Sequence, residues 1–186
     1  DLMKEYEKYI NRGPRKKRYK THIVFLARPF ENLITDLTQG YGDIVAAGLT
    51  VTPERKNLID FTKPYIKDVQ EILVSHKNAP EPAKLEELSG KQIIVVSNSS
   101  YVIHLERANQ ALGLLGLPSI DIVRADSLLE AEDILEMVNA GLFDHTVVDS
   151  HVADIYKNIF PNLRLRHDFS FHKGGNIAWG INKNLP

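Results

Sequence analysis

Thr50 and Arg55 lie within Ala46-Ala47-Gly48-Leu49-Thr50-Val51-Thr52-Pro53-Glu54-Arg55-Lys56, a run that is soon followed by Ile59-Asp60-Phe61-Thr62-Lys63-Pro64-Tyr65. It reads as a buried strand ending in a glycine, then two threonines flanking a valine, then an arginine placed by a proline turn. Such an arrangement can receive a carboxylate. Hydroxyls and backbone N–H groups gather at a strand end, and a planar two-pronged guanidinium fits a carboxylate better than an ammonium does. Arg55 also has a plainer use, a surface pair with Glu54 or Asp60, since most arginines are solvated.

Two further clusters could meet the same ligand. Ser97-Asn98-Ser99-Ser100 follows a buried strand and opens a helix. The unpaired N–H groups and partial positive charge of a helix start suit an anion, although serine and asparagine are also the commonest caps. Asp149 ends the strand Thr146-Val147-Val148. At the C-terminal end of a parallel strand it would face the crevice where α/β sheets bind ligands, or cap the helix from Ser150, or do both. Asp144, at the strand's other end, reads as structural. An arginine can hold a carboxylate and an aspartate a cation, with apolar and aromatic walls between them.

The elements that must position these groups alternate. Leu2, Met3, Tyr6 and Ile10 give a helical stripe ended by Asn11-Arg12-Gly13-Pro14. His22–Leu26 reads as a strand, Phe30–Leu37 as a helix, and Asp43–Ala47 as a strand. That is a βαβ unit and implies a largely parallel sheet. Val69–Val74 reads as a long strand and His76–Pro82 as a crossing between two lobes. A second series follows: a short helix at Lys84–Gly90, a strand at Ile93–Val96, a helix to about Leu112, a strand at Ile120–Val123, a helix over Leu128–Asn139, a strand at Phe143–Val148, a helix over Val152–Ile159, a strand at Leu163–Leu165, and a last strand at Asn176–Ile181. Two lobes with separate sheets are expected, split near 74–80 and rejoined near 168–176.

The totals exclude several classes. A chain of 186 residues, 43% hydrophobic and 25% charged, has the makings of a globular core. No apolar run approaches a membrane span, and a net charge of −1 points to no nucleic acid. The six basic residues between Arg12 and Lys20 lack an aromatic platform and read as a solvated loop. Cysteine is absent, which excludes disulfides and thiolate metal sites. No cofactor or metal is expected; His167 and His172 carry no ligand spacing. No GxSxG, His-Glu-x-x-His or phosphate-binding glycine loop occurs. Acidic pairs such as Glu86-Glu87 and Glu132-Asp133 fall on amphipathic helices, so no catalytic residue is assigned. A start at Asp1 without methionine or leader, and a stop at Pro186 without a closing helix, read as an interior piece of a larger protein.

The run from Gly48 to Tyr65 resembles the signature of the family 3 extracytoplasmic solute-binding proteins, which take amino acids and related small molecules between two lobes. Gly141–Ser150, Ile155-Tyr156, Phe160–Leu163 and Ile177-Ala178-Trp179-Gly180 resemble the solute-binding module of membrane-bound lytic murein transglycosylases of the F type. The resemblance implies a two-lobe α/β fold with mainly parallel sheets. Lobe 1 would span 1–75 and lack its first strand and one aromatic wall, lobe 2 would span 76–172, and 173–186 would return to lobe 1. It implies ligand contacts at Thr50, Arg55, Ser99, Ser100 and Asp149. In the family, glycine and threonine usually stand where this chain has Asn98 and Ser99. Ser99 can still donate, while Asn98 carries a side chain where there is usually none. The resemblance further implies a periplasmic module with no enzyme activity of its own. It would bind an amino acid or muropeptide, and it would be attached to a lytic catalytic domain, outer-membrane-associated in the full-length protein. A free-standing receptor for an ABC transporter and a sensor domain of a membrane kinase share the same signature.

Overall fold

The structure, a computed structural model, describes residues 2–12 and 20–184. Most of the basic run falls outside the described residues. Helix α1 (Leu2–Ile10) buries Met3. A 3-10 turn (Phe30–Asn32) leads into α2 (Leu33–Thr38), then β1 (Ile44–Thr50), α3 (Pro53–Leu58) and the short β2 (Asp60–Phe61). Strand β3 (Ile66–His76) carries the chain into the second half. There β4 (Gln92–Val95), α4 (Ser100–Leu114), β5 (Asp121–Arg124), α5 (Ala131–Asn139), β6 (His145–Asp149) and α6 (Ser150–Tyr156) alternate. Strand β7 (Leu163–Ile181) runs 19 residues back to the first half.

Local chemistry explains the elements near the cleft. Thr52 caps α3, its hydroxyl accepting from the Arg55 N–H at 3.2 Å, with Pro53 in the first turn where its missing donor costs nothing. Helix α4 buries Tyr101, Val102, Leu105 and Leu112, a stripe at helical spacing. Glu130 and Asp133 form a reciprocal capping box on α5. All residues of β6 are buried, as expected of a strand covered on both faces.

Two expectations are corrected here. His22–Leu26 forms no strand. Its neighbourhood is tied to α1 instead, where Glu7 accepts from the Ile23 N–H at 3.0 Å and Asn11 bonds both ways with Thr21. Val24 is 75% exposed. An apolar extended run becomes a strand only where a partner offers its ladder, and none is present among the described residues. The second correction concerns the sheets. All seven strands join in one sheet, ordered β1-β7-β3-β6-β4-β5 with β2 also on β7. Only β4 with β5 and β4 with β6 pair in parallel; β1–β7, β2–β7, β3–β6 and β3–β7 are antiparallel. The reason is directional. A strand that leaves the first half and one that returns to it run oppositely, and β3 and β7 pair with each other, so the crossings fuse the halves into one sheet. Helical crossovers keep β4, β5 and β6 parallel. The β3–β7 register slips between Ile66 and Leu73, where the chain passes from one half to the other.

The cores remain divided. Leu37, Val45, Leu49 and Ile59 pack in the first half. A larger cluster around Ile72, Leu105, Leu135 and Val147 fills the second. Gly180 is fixed by the first: a Cβ there would stand 2.8 Å from Ile59 Cδ1 and 3.3 Å from Leu49 Cδ1.

Candidate functional site

Between the β1–α3 corner and the ends of β4 and β6 lies a cavity of about 920 Å³. The five residues singled out in the sequence, Thr50, Arg55, Ser99, Ser100 and Asp149, all line it. They arrive from three segments: the end of β1 with α3, the start of α4, and the end of β6. Phe25 and Phe30 add aromatic wall. Phe25 does so from the segment misread as a strand, and Phe30 lies 5.9 Å from the Arg55 guanidinium carbon.

Arg55 is not a surface residue; it is only 5% exposed. Its Nη1 donates to the Thr50 carbonyl at 2.9 Å and its Nη2 to the Asn98 carbonyl at 3.0 Å, so it bridges the two halves. Two of its five donors are thus used, and the others remain for a ligand. Burial depresses its basicity, while Glu71 foremost, then Tyr101 and Asp149, support its charge. Ser99 commits its hydroxyl proton to the Val96 carbonyl at 2.7 Å. Ser100 begins α4 and is buried. Asn98 adopts a left-handed backbone, φ 55°, and its exposed side chain turns toward the Glu31 carbonyl, outside the cavity lining. The side chain that replaces the usual glycine therefore does not fill the site.

Asp149 has a different environment. It is 4% exposed, and its Oδ1 is buried without a hydrogen-bond partner. Its backbone N–H donates to the Tyr101 hydroxyl at 3.1 Å. Burial first and the Glu71 carboxylate second raise its pKa from 3.8 to about 7, against the pull of Tyr101 and Arg55. It serves α6 as N-cap by position, with no side-chain capping bond. A buried carboxylate oxygen without a partner is costly and calls for a cation.

Sequence reasoning missed Phe30, Tyr101 and Glu71. Phe30 looks like any apolar helix residue, and Tyr101 like one of a core stripe. Glu71 sits in an apolar strand, where its charge was the one available signal. His167 is exposed on β7 and meets Asp154 at 3.2 Å, while His172 stacks on His104. Among the described residues no group of three or more His, Cys, Asp or Glu side chains is placed to hold a metal ion. Nor is any helix there long and apolar enough to cross a membrane.

Residues 2–163 match the profile of the bacterial extracellular solute-binding proteins, family 3. The chain belongs to this family. It is a solute-binding domain and not a catalytic one. Among similar curated proteins is the membrane-bound lytic murein transglycosylase F of Maricaulis maris, 35% identical over 160 residues, or 86% of this chain and 33% of that protein. The protein of the same name from Saccharophagus degradans is 31% identical over 143 residues, covering 75% of this chain and 26% of that one. The domain thus spans about a third or less of these relatives. Among solved structures, a mutant of the arginine-binding protein ArgBP from T. maritima superposes with a TM-score of 0.78 at 23% identity, over 98% of this chain and 70% of that one. An ancestral arginine-binding protein bound to arginine gives 0.71 at 24%, over 87% and 67%. At these identities the likeness fixes the fold, that of two-lobe periplasmic amino-acid-binding proteins. The family is one of bacterial extracellular proteins, which sets this domain outside the cytoplasm.

Proposed function

We propose that the cavity captures a small amino-acid-like or peptidoglycan-derived solute between two lobes. Arg55, Thr50 and Ser100 hold its carboxylate and Asp149 its ammonium, while Ser99 lines the cavity with its hydroxyl proton given to the Val96 carbonyl. The observation that carries this reading is the pairing of opposite charges across one cavity: a buried arginine with donors to spare, and a buried carboxylate oxygen with no partner. The lobes are assigned as 1–75 with the return segment 173–186, and 76–172, closing about β3 and β7. A thermal-shift screen against amino acids and muropeptides tests it, because a ligand bound only to the folded state raises the melting point by mass action. A cognate solute should raise it in the wild type and not in Asp149→Asn. No response to any ammonium-bearing solute would sink the reading.

We further propose that solute capture regulates a lytic transglycosylase domain attached in the full-length protein, which would be outer-membrane-associated. The names and greater length of the relatives support this. Closure can bias an attached domain only if the solute favours the closed state over the open one. Muropeptide release by the full-length protein should therefore respond to solute, and Asp149→Asn should remove that response. Release that is unchanged by both solute and mutation would refute regulation.

A further inference from the structure

Glu71 on β3 is 1% exposed, and its Oε1 is buried with no hydrogen-bond partner. In the sheet register it lies directly opposite Asp149 of β6 on one side and His172 of β7 on the other. Directly opposed side chains share a face with Cβ atoms about 5 Å apart. The row Asp149–Glu71–His172 therefore crosses three strands, two of them the crossings between the halves. From α4, His104 Nδ1 meets Glu71 Oε2 at 2.6 Å, and its ring stacks on His172 with centroids 4.2 Å apart and planes 8° from parallel. Asp149 lines the cavity; Glu71 lies behind it, outside the lining. Both carboxylates thus keep an unpartnered oxygen, while Arg55 gives Nη1 and Nη2 to carbonyls and is in no described ion pair with either.

We propose that Glu71 is a positioning residue that makes solute capture proton-coupled: by facing Asp149 in its buried site it adds to the effect of burial and helps hold a proton on that side chain in the empty cleft, and the solute's ammonium displaces the proton. The inference rests on the ammonium reading of Asp149. The step balances. The Asp149 O–H bond breaks, the proton leaves to water, and the solute's N–H groups take up the carboxylate, so one positive charge replaces another. The groups that bear on it are Glu71 from β3, Tyr101 from α4, Arg55 from α3 and His151 from α6, with His104 and His172 behind Glu71. Burial and Glu71 already hold Asp149 near 7. Below that point apparent affinity for an ammonium-bearing solute should fall about tenfold per pH unit, and above it affinity should level off.

Two measurements on the whole domain decide the matter. The first needs no ligand: a ¹³C-carboxyl NMR titration of Asp149. The expected midpoint is about 7 in the wild type, moving clearly toward 3.8 in Glu71→Gln, which keeps the shape and a partner for His104. A wild-type midpoint near 4, or one unmoved in Glu71→Gln, overturns the inference. The second is calorimetry with L-arginine, L-lysine, L-glutamine and L-glutamate near pH 6.5, in phosphate and in Tris. Binding should release most of a proton in the wild type and much less in Glu71→Gln. Binding without proton release overturns the coupling while leaving the capture reading intact. No binding by any of the four or by muropeptides that carry a free ammonium, with Asp149 titrating high, overturns the ammonium reading and the exchange with it. The wild-type arms stand even if Glu71→Gln fails to fold.

Discussion

Arg55 on α3 and Asp149 at the end of β6 face one cavity and are almost equally buried, yet their circumstances are opposite. The arginine is already paired within the protein: two of its N–H groups reach the Thr50 and Asn98 carbonyls, one on each side of the cleft. The aspartate is only half satisfied: Tyr101 reaches its carboxyl, but its Oδ1 has no partner, and burial and then Glu71 work against its charge. The basic wall is therefore part of what holds the empty domain together. The acidic wall is a liability of the empty domain that a cation relieves. A solute finds one wall built and one wall waiting.

The largest expected effect separates the two. Arg55→Ala should lose both binding and stability, contrary to the small folding cost that an exposed arginine would carry. It leaves two carbonyls without their donor and a void between the halves, together about 2–4 kcal/mol. Arg55→Lys should recover part of the stability but little of the binding, since an ammonium cannot reproduce the fork. Denaturant unfolding of both variants checks this. Unfolding of Arg55→Ala at the wild-type midpoint would show the two carbonyl bonds to be dispensable.

Asp149→Asn should lose binding yet leave the empty domain as stable or more so. The sign follows from linkage. The folded-state pKa of Asp149 is raised from 3.8 to about 7, so folding favours its protonated form. That contribution is full below about pH 4, is lost as pH climbs toward 7, and is absent above. Each pKa unit corresponds to about 1.4 kcal/mol. His151 and His172, whose pKa values burial lowers, add a slope of the opposite sign near their ordinary value. The difference between wild type and Asp149→Asn cancels them. That difference should be near zero at pH 4.5 and favour the variant at pH 8. A variant less stable than wild type at pH 8 would place a partner on Asp149 Oδ1 that the structure does not show, or give the Tyr101 contact more weight than burial and Glu71 together.

The same contrast explains what was legible in the sequence. The β1–α3 corner is contiguous, and its chemistry is written in residue order: Thr50, the Thr52 cap, Pro53, Arg55. The second half of the fold was also readable, because β4, α4, β5, α5 and β6 each carry their own periodicity. The acidic wall depends on pairing between distant strands. Nothing near Glu71 says that Asp149 and His172 stand opposite it; that register forms only in the sheet. The single long β7 was hidden for a related reason. Between Leu165 and Asn176 its charges, histidines and glycines look like a loop, and only pairing with β3 makes them a strand. His22–Leu26 is the converse, a strand pattern without a partner.

Smaller effects sharpen the anion-facing side. Ser99 has given its proton to the Val96 carbonyl, so Ser99→Ala should cost about 1 kcal/mol of stability and little affinity. Ser100 begins α4 on the cavity wall, and Ser100→Ala should weaken binding more than Ser99→Ala does. The reverse order in calorimetry would mean that the Ser99 hydroxyl turns to the ligand on binding.

The smallest effect is expected at Asn98, and its two contributions nearly cancel. Asparagine tolerates the left-handed backbone that φ 55° imposes better than most residues, and glycine tolerates it best. Glycine also has more freedom to lose on folding. Asn98→Gly should therefore stay within about 0.5 kcal/mol of wild type, whereas Asn98→Ala, which keeps the Cβ and loses the polar tip, should cost about 1 kcal/mol. Neither change touches the backbone carbonyl that receives Arg55 Nη2, so both should leave solute affinity unchanged. This is a sharp test of the basic wall. If Asn98 acts only through its backbone, the wall is indifferent to its side chain. A tenfold gain in affinity on Asn98→Gly would mean instead that the side chain swings from Glu31 into the closed cleft and screens Arg55 from the solute.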